Sequence, residues 1–222
     1  TKVLMERIGT QMHGVSLHYY TVKGWEGSKG SATVFNEDEW YDMIAKSVEV
    51  EEVIENHKAI MNAYDPEGKI DLLLDEWGTW FDAEPGTNPG HLYQQNTLRD
   101  AMVAAVSLNI FHKYTYRLKM ANIAQMINVL QSMILTRDDE MILTPTYHLF
   151  KMYVPHQDAT VVPMHYESAS LRDVNRREVE LFSATASRKD GVMTLSMVNV
   201  DLEKECKVVI ALDDETKYEI SG

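Results

Sequence analysis

The sequence predicts a chain of class α/β plus β, in which an α/β part is followed by an antiparallel β part. In residues 1–155, apolar runs of strand length alternate with longer segments of helical periodicity, which favours parallel strands joined by helices. After residue 155 the pattern changes to short alternating runs separated by Gly and Asp, which is typical of antiparallel strands. We therefore expect a domain boundary near residue 155.

The most informative stretch, residues 69–80, joins a short apolar run to two adjacent carboxylates and two tryptophans. The turn signal before it and the run of leucines predict a strand that is buried on both faces and ends at Glu76. Strict alternation places Asp75 and Trp77 on the side opposite Glu76. A (β/α)8 barrel carries its catalytic groups at the C-terminal ends of such strands, and indoles suit the apolar face of a sugar. The pattern equally fits a solvated carboxylate at a loop entry, beside tryptophans that pack in the core.

The composition excludes several classes of partner. The 222 residues are 45% hydrophobic and 25% charged, and their formal net charge is −13. This acidic balance disfavours nucleic acid and anionic membranes, and no apolar run is long enough to cross a bilayer. Cys206 is the single cysteine, which excludes an intrachain disulfide and favours a reducing compartment. We therefore expect a cytoplasmic location.

Other elements follow from periodicity and capping signals. Residues 14–22 are rich in β-branched and aromatic residues and predict a strand with His18 and Tyr20 on one face. The glycine-rich residues 23–33 predict a loop, and Trp25 in its middle fits either the rim of a substrate site or an oligomer contact. Helices are expected over residues 1–12, 37–55 and 91–114, and a second helical stretch follows residue 55 and continues to residue 62. Asn36 and Glu39 predict a capping box at the start of the helix over 37–55, and Thr144-Pro145 predicts the start of a further helix.

Three motifs of the chain resemble one known family. They are Asp75-Glu76-Trp77-Gly78-Thr79-Trp80-Phe81, Glu84-Pro85-Gly86-Thr87-Asn88-Pro89-Gly90 and Tyr93-Gln94-Gln95-Asn96-Thr97-Leu98-Arg99-Asp100. Together they resemble glycoside hydrolase family 51, the α-L-arabinofuranosidases, and the resemblance runs through almost all of the chain. It implies that residues 1–155 hold about strands 6 to 8 of a (β/α)8 TIM barrel, and that residues 156–222 form an antiparallel β-sandwich domain that is incomplete.

The resemblance also implies roles for single residues. Glu76, at the end of the seventh barrel strand, is expected to be the catalytic nucleophile. His18 and Tyr20 match a Ser-Leu-His-x-Tyr motif at the sixth strand, where they line the sugar pocket. Residues 117–125 fit a helix by periodicity alone, but the barrel requires an eighth strand there. Residues 124–128 match the family's Ala-Gln-x-x-Asn motif, so the resemblance implies that Gln125 binds the sugar. The aromatic pattern adds Trp80 and Trp25 as candidate substrate-binding residues.

The implied function is release of terminal non-reducing α-L-arabinofuranosyl residues from arabinose-containing oligosaccharides and polysaccharides. A retaining glycosidase needs a second carboxyl group. The family's acid/base Glu follows an Asn at the fourth strand, and the chain's only Asn-Glu pair, Asn36-Glu37, precedes a helix. Asp75 points away from Glu76 on a regular strand, so it is expected to be a buried hydrogen-bond anchor. We therefore expect the chain, which begins at Thr1 within a helical pattern, to be the C-terminal part of a longer enzyme and inactive alone.

Other functions stay open at this point. A metal-dependent barrel hydrolase could use His18, Asp75 or Glu76, and His91, although no metal-binding spacing supports it, and we expect no cofactor or metal. A non-catalytic carbohydrate-binding or assembly module and another barrel glycosidase are the remaining alternatives. The expected partners are arabinose-containing glycans and further copies of the chain, since family members are often hexameric.

Overall fold

The computed structural model describes residues 1–168 and 171–212. Its first part is a sheet of three parallel strands in the order β1–β2–β3, and a helix connects each strand to the next. The strands are β1 (Gly14–Thr21), β2 (Asp71–Thr79) and β3 (Leu118–Ile123), and the helices are α1 (Lys2–Arg7), α2 (Glu37–Tyr64), α3 (Leu98–Lys113) and α4 (Pro145–Tyr153). Short 3-10 turns cover Gly9–Gln11, Pro89–His91 and Val154–His156. The mixed α/β architecture is confirmed.

All later strands are antiparallel. They are β4 (Ile134–Arg137), β5 (Glu140–Leu143), β6 (Thr160–Val161), β7 (Leu171–Val174), β8 (Arg177–Glu180), β9 (Phe182–Lys189) and β10 (Val192–Asn199). The last two form a three-stranded sheet with β6, in the order β10–β9–β6, while β4–β5 and β7–β8 are separate hairpins. The alternating run at residues 207–212 predicts a further strand, but these residues pair with no described strand and Val209 is 82% exposed. Asp213 and Asp214, which end this run in the sequence, lie outside the described residues.

Capping explains where the helices begin. The predicted capping box is confirmed, because the Glu39 amide donates to Asn36 Oδ1 at 2.9 Å and the Asn36 amide donates to Glu39 Oε2 at 3.1 Å. The predicted break after residue 55 is wrong, since α2 is one helix of 28 residues. The helix predicted from residue 91 begins only at Leu98. Thr97 is the N-cap residue, and Asp100 in the first turn accepts hydrogen bonds from the Thr97 amide at 2.7 Å and from its hydroxyl at 3.0 Å.

The core lies between the parallel sheet and its helices. Leu72 and Leu74 of β2 are completely buried, and Trp77 is 2% exposed with its ring 5.0 Å from that of Phe111. Trp77 is therefore a core residue. The same hydrophobic cluster includes residues beyond position 155, such as Val198. Among the described helices, none combines the length and apolar character needed to cross a bilayer.

A buried ion pair ties three parts of this sheet together. Arg117, just before β3, donates to the Asp65 carboxylate at 2.7 Å, to the Ile70 carbonyl at 2.8 Å and to Asn62 Oδ1 at 2.6 Å. Burial alone would raise the pKa of Asp65, but hydrogen bonds from the Ile70 amide and Arg117 hold it below its ordinary value. The end of α2, the start of β2 and the start of β3 thus share one guanidinium group.

A polar seam joins α3 and α4 to the antiparallel sheet. His112 Nδ1 lies 3.1 Å from Thr185 Oγ1, and the two ring nitrogens of His156 lie 2.7 Å from Ser187 Oγ and 2.9 Å from Ser196 Oγ. The two imidazole rings are 4.9 Å apart. Burial lowers the pKa of His112 to about 4 and also lowers that of His156. Both rings are therefore neutral at pH 7.

Replacing Arg117 with Met is expected to lower the free energy of unfolding by about 3–5 kcal/mol, because Asp65 would be left buried without its counter-charge. Urea unfolding monitored by circular dichroism measures the change. Arg137→Met is the matched control, since Arg137 pairs with Glu140 on the surface at 3.3 Å and its loss should change nothing measurable. Equal stability of the two variants would contradict the role of the buried pair.

Protein stability is expected to fall between about pH 6.5 and pH 4 as the buried histidines become protonated. The unfolded chain binds these protons more tightly than the folded chain, so the stability present above pH 6.5 is lost as the pH decreases. For His112 the loss amounts to about 3 kcal/mol. Urea unfolding at several pH values in this range gives the free energy of unfolding as a function of pH. The slope of this free energy against pH should be shallower for His112→Asn than for wild type. His148→Asn, at an exposed position of α4, should keep the wild-type slope; an unchanged slope in His112→Asn would refute the assignment.

Candidate active site

A β-bulge determines where the carboxylates of β2 lie. Leu17 of β1 pairs with Leu74 of β2, but the next residue, His18, pairs with Glu76, so Asp75 is the extra residue of a bulge. The prediction from strict alternation is therefore wrong for Asp75. Instead of being a buried anchor on the opposite side, its side chain is 38% exposed and contacts His18. The strand also continues to Thr79, three residues beyond its predicted end.

Two donors from β1 hold the carboxylate of Glu76. The Tyr20 hydroxyl donates to Glu76 Oε1, and His18 Nδ1 lies 3.0 Å from Glu76 Oε2. Burial and the neighbouring carboxylate raise the pKa of Tyr20 far above its ordinary value, so the phenol remains a neutral donor. The Glu76 side chain is 33% exposed and can be reached from solvent.

Asp75 completes the arrangement from the other side of His18. Its Oδ1 accepts a hydrogen bond from Ser16 Oγ at 2.8 Å and lies 3.2 Å from His18 Nε2. Both ring nitrogens of His18 thus face carboxylate oxygens. Carboxylate oxygens accept hydrogen bonds, so the His18 ring can bridge the two carboxylate side chains.

An aromatic row leads outward from Glu76. The Tyr20 ring lies edge-on to Trp80 at 5.0 Å, and Trp80 lies edge-on to Trp25 at 5.7 Å. The ammonium group of Lys29 is 5.5 Å from the Trp80 ring, and Trp25 is 64% exposed. These contacts bring together five of the six predicted site residues: Glu76, His18, Tyr20, Trp80 and Trp25.

The sixth, Gln125, lies two residues beyond β3. Ile123 pairs with Trp77, and the Ala124 amide donates to the Trp77 carbonyl at 2.8 Å, so this segment borders the end of β2. The side chain of Gln125 is exposed. No hydrogen bond recorded for the described residues joins it to Glu76.

A buried network of polar side chains forms hydrogen bonds to the end of β2 and to the segment that follows it. Neither periodicity nor motif spacing in the sequence predicted this network. The Thr79 amide donates to Gln131 Oε1 at 2.8 Å, and the Phe81 amide donates to Gln94 Oε1 at 2.8 Å. Trp80 therefore sits between two backbone positions fixed by glutamine side chains. The Thr79 hydroxyl also donates to Asp100, whose pKa is raised by complete burial.

The arrangement suits acid–base or nucleophilic chemistry at a carboxylate. Within residues 1–168 and 171–212, no group of three or more His, Cys, Asp and Glu side chains is placed to hold a metal ion. His91 lies in the 3-10 turn Pro89–His91, where its Nε2 is 3.5 Å from Asn88 Nδ2. Asn36 and Glu37 open α2, and Glu37 pairs with Arg172 at 2.8 Å.

Comparisons with known proteins identify relatives of this chain. The profile of the family described as alpha-L-arabinofuranosidase C-terminal domain matches residues 75–221. An intracellular exo-alpha-L-arabinofuranosidase of Bacteroides ovatus is 61% identical over 217 residues, covering 96% of this chain and 42% of that protein. A probable alpha-L-arabinofuranosidase C of Aspergillus fumigatus is 31% identical over 162 residues, covering 68% of this chain and 32% of that protein.

A solved structure shares the fold. The family 51 arabinofuranosidase of Xanthomonas axonopodis pv. citri superimposes with a TM-score of 0.86 at 44% identity, covering 90% of this chain and 41% of that one. The chain thus spans about two fifths of the lengths of the Bacteroides and Xanthomonas proteins. The resemblance predicted from the motifs is confirmed. The chain belongs to the alpha-L-arabinofuranosidase C-terminal domain family and matches the C-terminal portion of glycoside hydrolase family 51 enzymes.

Proposed function

We propose that this chain supplies the nucleophile of a retaining α-L-arabinofuranosidase, and that Glu76 is that nucleophile. The observation that carries the proposal is the pair of donors on Glu76, Tyr20 at one oxygen and His18 at the other. Contacts at both oxygens fix the orientation of the carboxylate. A nucleophilic carboxylate must be held in a defined orientation toward the carbon that it attacks.

The reaction runs in two displacements. In the first, one Glu76 oxygen attacks the anomeric carbon of a terminal arabinofuranosyl residue, the bond to the leaving oxygen breaks, and an acid group protonates that oxygen. In the second, water attacks the same carbon, gives its proton to the acid/base group and releases Glu76 as a carboxylate. Tyr20 and His18 stabilise the carboxylate before the attack and again when it leaves.

The acid/base carboxyl group belongs to a part of the complete enzyme outside this chain. A retaining pair lies about 5–5.5 Å apart, with the two groups on opposite sides of the scissile bond. Asp75 does not meet this requirement, because it adjoins Glu76 in sequence and shares the His18 ring with it. On this proposal, the described residues provide the nucleophile, which is half of the catalytic pair.

We further propose that residues 1–155 hold strands six to eight of a (β/α)8 barrel and that residues 156–222 form the β-sandwich domain. The parallel order β1–β2–β3, with a helix between successive strands, supports the barrel. In the described residues β1 and β3 each pair on one side only, and closing a barrel pairs such edges. The likeness to the Xanthomonas enzyme supports the same assignment.

The substrate is the terminal non-reducing arabinofuranosyl residue of an arabinose-containing glycan. Trp80, Trp25 and Gln125 are the side chains proposed to contact the glycan around Glu76. The name of the Bacteroides relative, an intracellular exo-acting enzyme, supports both release of terminal residues and a cytoplasmic location. A homo-oligomeric assembly stays a prediction from the family resemblance.

Glu76→Gln in the complete enzyme is expected to lower kcat/KM for an aryl α-L-arabinofuranoside by at least about 1,000-fold, because the amide cannot form the glycosyl-enzyme. Steady-state kinetics measures the loss. A mechanism-based arabinofuranosyl inhibitor should add its mass to the wild-type peptide that contains Glu76 and to no peptide of the variant.

Glu67→Gln is the control for Glu76. Glu67 lies in the turn before β2, pairs with Lys69 on the surface and has a side chain that is 70% exposed, so this variant should keep wild-type kinetics. Activity of Glu76→Gln within a few-fold of wild type, or labelling at another carboxylate, would show that Glu76 is not the nucleophile.

Tyr20→Phe is expected to lower kcat/KM by about 10- to 100-fold, because it removes one hydrogen bond to a charged oxygen while keeping the ring against Trp80. Tyr19→Phe is the neighbouring control, since the Tyr19 hydroxyl donates to the Lys46 carbonyl. Kinetics of both variants with the same substrate test the assignment, and equal rates in the two would contradict it.

A further inference from the structure

The loop between β1 and α2, residues 22–36, carries the outer end of the aromatic row. Trp25 meets Trp80 edge-on at 5.7 Å, and Lys29 lies 5.5 Å from the same ring. The loop contains no helix or strand. Its placement over Trp80 therefore depends on the side chains and backbone groups that anchor it.

Asp82 forms the first anchor. Its carboxylate accepts hydrogen bonds from the Ser28 hydroxyl and from the Lys29 amide at 3.0 Å, and its own amide donates to the Gly30 carbonyl at 3.0 Å. The Ser28 hydroxyl and the Lys29 amide hold the pKa of Asp82 below its usual range, so the anchor is an ionised carboxylate. Asp82 follows Trp80 by two residues, so it fastens the loop to the segment that bears Trp80.

Arg99 forms the second anchor, from beneath the loop. It is 2% exposed and donates to the Ser31 carbonyl at 2.9 Å and to the Ala32 carbonyl at 3.3 Å. Its guanidinium group lies 3.7 Å from the centre of the Phe35 ring and 4.1 Å from that of Phe81. The middle and the end of the loop are thereby fixed to the segment that follows β2.

We propose that Asp82 is a positioning residue that determines the preference of the enzyme for long leaving groups. It does so by holding Trp25 next to Trp80, where the Trp25 ring contacts the leaving group. The proposal rests on the proposed function. Tyr20 touches Glu76, Trp80 touches Tyr20, and Trp25 is the exposed far end of this row. Because the rings of Tyr20 and Trp80 lie between Glu76 and Trp25 in this row, Trp25 is placed to contact glycan units beyond the reacting one.

The prediction is tested in the complete enzyme with two substrates. Methyl α-L-arabinofuranoside has a leaving group of one carbon, and an arabino-oligosaccharide of four or more units has a leaving group that extends past Trp80. Asp82→Ala should lower kcat/KM for the oligosaccharide by about three- to ten-fold, mainly through KM, as expected for loss of one aromatic contact. The rate with the methyl glycoside should stay within about two-fold of wild type, because its leaving group does not extend past Trp80.

A double-mutant cycle shows whether Asp82 acts through Trp25. Trp25→Ala should reproduce the loss that Asp82→Ala shows with the oligosaccharide, and with that substrate the double variant should be no worse than either single variant. Asp71→Ala, at the other end of β2, is the matched control and should leave both substrates unaffected. If Asp82→Ala does not fold, Ser28→Ala, which removes a hydroxyl that donates to Asp82, makes the same test with a smaller effect in the same direction.

An equal loss on both substrates, no loss on either, or fully additive effects of Asp82→Ala and Trp25→Ala would overturn the proposal. These outcomes differ from failure of the proposed function. In that case the wild-type enzyme would release no arabinose from either substrate and would not be labelled at Glu76, and the role of Asp82 in leaving-group preference would fall with it.

Discussion

The bulge between β1 and β2 is the constraint on which the site depends. Without it, pairing would continue from Leu17 and Leu74 to His18 and Asp75, and Glu76 would oppose Tyr19. The extra residue moves the register by one position, so that His18 lies opposite Glu76 and contacts both carboxylates. A bulge re-aims side chains at little cost in backbone pairing, and the pairing resumes through Thr21 and Thr79.

The buried polar network behind β2 makes this local distortion compatible with a rigid site. Gln131 accepts from the Thr79 amide and donates to the Asp100 carbonyl and to Thr146 Oγ1, while Gln94 accepts from the Phe81 amide. Each hydrogen bond satisfies a backbone or side-chain group that burial would otherwise leave unpaired. The motif at residues 93–100, which carried much of the family resemblance, thus serves as scaffold for the segment that bears Trp80.

Sequence patterns predicted the parts of the fold whose signals are local. The apolar run of β2, the capping box at Asn36 and the Pro at the start of α4 each predicted an element that the structure confirms. The bulge was not predictable, because alternation assumes one residue per partner and nothing around Asp75 indicates an insertion. The prediction that a helix begins at residue 91 was wrong because it used local signals alone. Gln94 and Asn96 make hydrogen bonds to residues distant in sequence, and these hold the segment in a non-helical conformation.

Helix α3 explains why the antiparallel strands matter to a site they do not touch. At its first turn Asp100 accepts from the Thr79 hydroxyl, three residues beyond Glu76. In its last turns Asn109 donates to Ser183 Oγ at 3.0 Å and His112 meets Thr185, both on β9. One helix therefore joins the supporting network of the carboxylates to the later sheet.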